Sequence, residues 1–168
     1  VKAYADGFKG ITAFKKKGSA FVRTNGYVPI CEYTGHKLYW EDFQKWREIE
    51  DLPEYIYKRE YTSDERKEHE SAAAKWDRMA LNAPTQGTGI AILKLSMTLF
   101  FKWLCKEGYF GKVLLCNLVH DEAVIEYPKE LKDIVVPKLK EYMEKGASVL
   151  CKKLPIPCVP ETGLHWIH

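Results

Sequence analysis

LLCNLVHDEAVIEY, residues 114–127, is an apolar run, a cluster of three ionisable residues at His120-Asp121-Glu122, and a second largely apolar run. Two buried strands joined by a tight turn account for that pattern. A two-residue hairpin turn ordinarily takes Asn-Gly or Asp-Gly, because glycine accepts the positive φ that the turn needs. Three ionisable residues in its place suggest that the charges are wanted there. At a period of two, Leu114, Cys116 and Leu118 face one way and Leu115, Asn117 and Val119 the other, and the turn carries both carboxylates, Asp121 and Glu122, to the hairpin tip. Neighbouring carboxylates repel unless a cation sits between them. Hard oxygen donors with no Cys or His cage around them point to Mg²⁺, which is held by one or two carboxylates plus substrate phosphates. A two-metal phosphoryl-transfer site needs such a tip. A solvated acidic turn has the same sequence, and the stretch alone does not separate the two readings.

Around that stretch the composition is that of a folded domain. The chain has 168 residues, 46% of them hydrophobic, with 13% aromatic residues to build a core. No apolar run approaches the roughly 20 residues of a membrane span. The opening VKAYADGFKG is not a signal peptide. The chain reads as an excised or processed piece of a cytoplasmic protein. Five cysteines without a CxxC pair suggest reduced, mostly buried thiols and argue against a disulfide framework or a zinc site. The five histidines form no HExxH, and His165 and His168 read as part of a tail.

Net charge is +3 but unevenly spread. Residues 1–40 carry a balance of +5 and residues 41–75 a balance of −4. Lys15-Lys16-Lys17, interleaved with Phe8, Phe14, Phe21 and Tyr27, suits either a phosphate partner or the solvated face of an amphipathic helix.

Helical spacing of apolar residues runs over 3–24, with Gly10 and Gly18 weakening or dividing it. NGYVPICEYTGHKLYW predicts a hairpin turning at Thr34-Gly35. Residues 41–75, polar and broken at Pro53, predict one or two exposed helices with a mobile joint. A helix over 71–82 is expected to stop near Ala83-Pro84 and a second to run from 85 to Gly108. Residues 128–150 predict a third, opened by Pro128, and Ile156–Val159 a short edge strand. The class is α+β, a small antiparallel sheet with helices packed on it.

A second constellation lies in DRMALNAPTQGTG, residues 77–89. Arg78, Asn82 and Gln86 follow one another at i, i+4, i+8, which on a continuous helix aligns a guanidinium and two carboxamides on one face. Such groups suit DNA phosphates and the sequence-tolerant acceptors of the minor groove. Three polar residues on a wet helix face have the same spacing.

RMALNAPTQGT, a long helix and then LLCNLVHDEAVIEYP closely resemble the C-terminal part of family A DNA polymerases, the group that includes bacterial DNA polymerase I. That family shows an ER-A-x-N-x-P-x-QGT segment, a helix, and a VHDE hairpin about 30 residues later. YADGFKGITAFKKKGSAFVRTNGYVPICEYTGHK resembles the helix and GYV hairpin that follow the family's nucleotide-binding helix, and GLHWIH a shortened form of its terminus. The likeness covers most of the chain except residues 41–75.

The resemblance implies roles. Asp121 matches the palm carboxylate that ligates catalytic metal, Glu122 its supporting neighbour, and His120 a residue near the primer terminus. Arg78, Asn82 and Gln86 match groups that contact template and primer. It further implies Mg²⁺ as cofactor, primer-template DNA and deoxynucleoside triphosphates as partners, and a role in DNA replication. Residues 1–75 then correspond to fingers-side helices, hairpin and charged insert, and 76–168 to the C-terminal part of the palm.

Two departures stand out. QGTGIA replaces the family's common QGTAAD, leaving Ala91 where an acid is usual, and residues 41–75 are longer and more charged, as in phage polymerases. The family's other metal-binding Asp and its Lys/Tyr helix precede this region and are not in the chain. A single hairpin cannot clamp two metals, so the chain alone is expected to be inactive without the N-terminal part of its polymerase. Apolar surface is expected to be exposed in the isolated chain, with self-association one way of covering it. A non-catalytic DNA-binding remnant and one subunit of a split polymerase are the rival readings.

Overall fold

The structure is a computed structural model that describes residues 9–166. The part of the first sequence-predicted helix on Ala3, Tyr4 and Phe8, and the tail residue His168, lie outside the described residues. The chain divides into two compact units, Val1–Gly87 and Thr88–His168. The class is α+β, and the described residues form two separate two-stranded antiparallel sheets where the sequence suggested one.

In the first unit, helix α1 (Lys9–Asn25) leads into strands β1 (Tyr27–Cys31) and β2 (His36–Tyr39). Gly10 and Gly18 do not divide α1. Gly18 serves a close approach instead, because a Cβ there would lie 3.3 Å from the Ala80 carbonyl oxygen. The β1–β2 hairpin turns at Gly35, whose φ of 69° is one that glycine adopts without a Cβ penalty. Short helices α2 (Phe43–Glu50) and α3 (Glu54–Glu60) follow on either side of Pro53. The expected exposure holds for α3, which has no buried residue, but not for α2, where Trp46 is buried. Val22, Val28, Trp40, Trp46, Ala73, Trp76 and Ala80 form this unit's core. Trp40 stacks on Trp76 at 5.3 Å and packs at 4.6 Å from Trp46.

Helix α4 (Ser63–Lys106) is the largest departure from sequence expectation. It starts well before residue 71 because Thr62 and Glu65 form a capping box. The Thr62 amide donates to the Glu65 carboxylate at 2.8 Å, and the Glu65 amide donates to Thr62 Oγ1 at 3.3 Å. The Thr62 amide's bond, and after it the Thr62 hydroxyl donating to the same carboxylate at 2.8 Å, hold the Glu65 carboxyl below its usual range. The helix does not stop at Pro84. A proline inside a helix removes one N–H bond, crowds the carbonyl four residues back, and costs about 3 kcal/mol. Here that carbonyl belongs to Ala80, and the missing Cβ of Gly18 leaves room beside it.

In the second unit the rest of α4 is followed by β3 (Leu114–Val119), β4 (Glu122–Glu126), a 3-10 turn at Lys129–Leu131 and helix α5 (Lys132–Leu150). Leu93, Met97, Phe100, Trp103 and Leu104 of α4 pack with Val113, Val135 and Leu139. Gly146 lets α5 approach α4 at the fully buried Ser96, whose hydroxyl donates to the Met143 carbonyl at 3.2 Å. By length and composition α4 contains a stretch apolar enough to span a membrane, which the scattered Lys94 and Lys102 obscure in the sequence. Its apolar side chains supply this core.

Two smaller expectations fail. Residues 155–160 form no strand, since three prolines remove the donors a ladder needs. The Cys158 amide instead donates to the Glu144 carboxylate at 3.1 Å. Nor are the cysteines mostly buried. Only Cys31 is; Cys105 and Cys116 are exposed, and Cys151 and Cys158 half-buried. None of the five is held in a disulfide, and burial pushes the Cys158 thiol up.

Candidate functional site

The hairpin of residues 114–127 forms as its pattern requires, with Val119 paired to Glu122 and only His120 and Asp121 between the strands. His120 sits at φ 53°, at the first of the two turn residues, the position that glycine takes in a type II′ turn. An L-residue there carries a backbone cost of about 1–2 kcal/mol. Asp121 is the tip carboxylate. Glu122 is the first residue of β4, so only one of the two acids belongs to the turn itself. Ala123, Ile125 and Tyr127 pack on the unit's core, and alternation therefore puts Glu122 and Glu126 on the opposite face. His120, Asp121 and Glu122 are all exposed.

Strand β3 differs from its sequence reading in two ways. The register shifts between Leu115 and Asn117, so a bulge at Cys116 breaks the expected alternation. The strand is also open rather than buried, with Leu114 49%, Leu115 50% and Leu118 40% exposed. Leu114 and Leu115 join Met97, Phe101, Leu104 and Phe110 around an apolar groove of about 270 Å³. Among the described residues no group of three or more His, Cys, Asp or Glu side chains could hold a metal ion. The hairpin offers at most part of a ligand set.

The second constellation lies in the first unit. Because α4 runs unbroken from 78 to 86, the spacing aligns Arg78, Asn82 and Gln86 along one stripe, and all three are exposed. Two features that sequence reasoning missed fix that stripe. Gly87, beside Gln86, has no room for a Cβ, because the backbone and side chain of Ile30 in β1 pass against it. The glycine of QGT is thus where a strand rests on the helix. Asp77, beside Arg78, receives Arg23 Nε at 3.1 Å, Arg23 Nη2 at 2.6 Å and the Ser19 hydroxyl at 2.5 Å. The Arg23 hydrogen bond, ahead of the other contributions, holds the Asp77 carboxyl below the usual carboxylate range and raises Arg23 in turn. The donors lie more than fifty residues upstream, so no local pattern marks the pair.

Comparison with known proteins places the chain in one family. Residues 1–168 match the family model described as DNA polymerase family A. A DNA polymerase I of Caldicellulosiruptor bescii is 32% identical over 109 residues, 65% of this chain and 12% of that protein. The thermostable DNA polymerase I of Thermus aquaticus is 39% identical over 87 residues, 52% of this chain and 10% of that protein. A DNA polymerase of Bacillus phage SP01 is 36% identical over 75 residues, covering 45% and 8%. The chain therefore matches about a tenth of the length of these relatives.

Proposed function

This chain belongs to DNA polymerase family A, and on that premise we propose that it is the C-terminal, palm-side segment of a template-directed DNA polymerase acting in cytoplasmic DNA replication. The observation that carries the reading is the hairpin tip. An aspartate stands exposed in a two-residue turn whose other residue is held in a glycine-like conformation. Strain of that kind persists where a site has a use for the side chain.

Asp121, supported by Glu122, would hold Mg²⁺. The donors fit, being hard carboxylate oxygens at an exposed tip, and the remaining ligands are assigned to the preceding part of the polymerase and to the nucleotide phosphates. When bound, the metal neutralises charge on the transferring phosphates. His120 is assigned a place near the primer 3′ end. Arg78 would meet a backbone phosphate, and Asn82 and Gln86 would turn carboxamides toward minor-groove acceptors. The partners are primer-template DNA, deoxynucleoside triphosphates and the preceding part of the polymerase, and the chain by itself is inactive. A phage-type polymerase fits the charged segment 41–75.

Joined to the preceding part of its polymerase, the chain should extend a primer in Mg²⁺. Asp121→Asn should lower the extension rate about 10³-fold with DNA affinity retained. Extension unchanged by that substitution would remove the role assigned to Asp121.

A further inference from the structure

The β1–β2 hairpin has one buried face and one open face. Val28 and Leu38 pair across it and enter the core of the first unit. Tyr27 pairs with Tyr39, and Pro29 with Lys37, so alternation places these four on the other face. That face is open, with Tyr39 64% exposed. Its rings form a chain. Phe21 of α1 lies 5.3 Å from Tyr27 at an interplanar angle of 86°, and Tyr27 lies 5.7 Å from Tyr39 at 46°. The Lys37 ammonium sits over the Tyr27 ring, 4.4 Å from its centroid.

Helix α1 continues the theme. Phe14, Lys17 and Phe21 recur at i, i+3, i+7, on one side of the helix, and all three are exposed. From 9 to 40 the only acidic side chain is Glu32, against Lys9, Lys15, Lys16, Lys17, Arg23 and Lys37. Of those cations, Arg23 is committed to Asp77.

The outward face of a half-buried hairpin ordinarily carries polar side chains. Here it carries aromatic rings and a proline within a cationic surround. Rings meet nucleobases by stacking, cations meet phosphates, and the pair of features binds single strands with little regard to sequence. A duplex does not fit, because its bases turn their faces to one another. We propose that the open face of the β1–β2 hairpin is a stacking platform for unpaired nucleotides, with Tyr39 and Phe21 offering ring faces and Lys37 taking a phosphate. In the polymerase such nucleotides are the template ahead of the primer. The inference rests on that reading for its setting, while binding itself needs only this chain.

The test uses the 168-residue chain and a fluorescent 12-nucleotide oligothymidine, followed by anisotropy. Tyr39→Leu, which keeps apolar bulk without a ring face, should weaken binding about tenfold. Tyr39→Phe should restore it, and Lys37→Gln should both weaken binding and flatten its salt dependence. Tyr39 and Lys37 are exposed, so circular dichroism should show all three variants folded. Equal affinity of Tyr39→Leu and Tyr39→Phe would overturn the platform, as would no binding of oligothymidine by the chain or preference for a duplex of the same length. None of those outcomes touches the metal role of Asp121, which is read from primer extension.

Discussion

The two hairpins of this chain are built to opposite rules. The β1–β2 hairpin turns through Gly35 at φ 69°, while the β3–β4 hairpin turns through His120 at φ 53°. One buries Val28 at 1% exposure against a cluster of tryptophans; the other leaves Leu114 and Leu115 about half exposed. A glycine turn and a buried face are what stability alone selects. A strained histidine, an acid at the tip and an open apolar strand are what stability alone would remove. In the second hairpin the turn and the strand themselves have to be explained by use; in the first, only the open aromatic face does.

The sharpest way to break the contrast is to truncate a core side chain near each hairpin. Trp76→Ala empties the cluster beneath β1–β2 and should cost about 3–5 kcal/mol in urea unfolding of the isolated chain. Leu115→Ala should cost only about 0.5 kcal/mol, because half of that residue already faces solvent. Comparable losses at both positions would mean that β3 is covered in solution.

A smaller effect belongs to the pair that ties α1 to α4. Asp77→Asn should cost about 1 kcal/mol at neutral pH, a modest figure because both partners are about a third exposed and solvent screens them. The sign of its pH dependence follows from the depressed Asp77 carboxyl. Its contribution is complete above the ordinary aspartate value of about 4 and is lost as pH falls through the lower native value. The Asn variant should lack that acid-side loss of stability, while the β3–β4 unit, which does not use this pair, keeps its own acid response.

The smallest effect exchanges the turn rules. His120→Gly relieves a left-handed backbone cost of about 1–2 kcal/mol and adds about 0.5–1 kcal/mol of chain entropy, for a net gain near 0.5 kcal/mol. Gly35→Ala should lose about 1 kcal/mol. Denaturation midpoints read both changes. A His120→Gly chain that is more stable yet slower in primer extension, once joined to the rest of its polymerase, would show that the strain is kept for function.

Both hairpins were legible from alternation and turn residues, and the tip aspartate from its place between apolar runs. What was not legible depended on partners distant in sequence. Pro84 reads as a helix stop, because the sequence does not show Gly18 lying beside the carbonyl that the proline crowds. The start of α4 was hidden in a charged tract whose Thr62 and Glu65 spell a capping box only once the helix is assigned there. The Cys116 bulge shifts register without altering any hydrophobic pattern over six residues. Arg78, Asn82 and Gln86 align as their spacing implies, but the features that flank them, Asp77 on Arg23 and Gly87 on Ile30, join segments more than fifty residues apart.

The open strand has a further consequence for anyone handling the chain. LLCNLV, residues 114–119, has six residues with no charge, no proline and no glycine, and among the described residues β3 is hydrogen-bonded to β4 alone. An uncharged strand with a free edge is a template on which copies stack in register, leucine upon leucine, as in a cross-β fibril. That edge is where copies of the chain should associate when it is concentrated by itself.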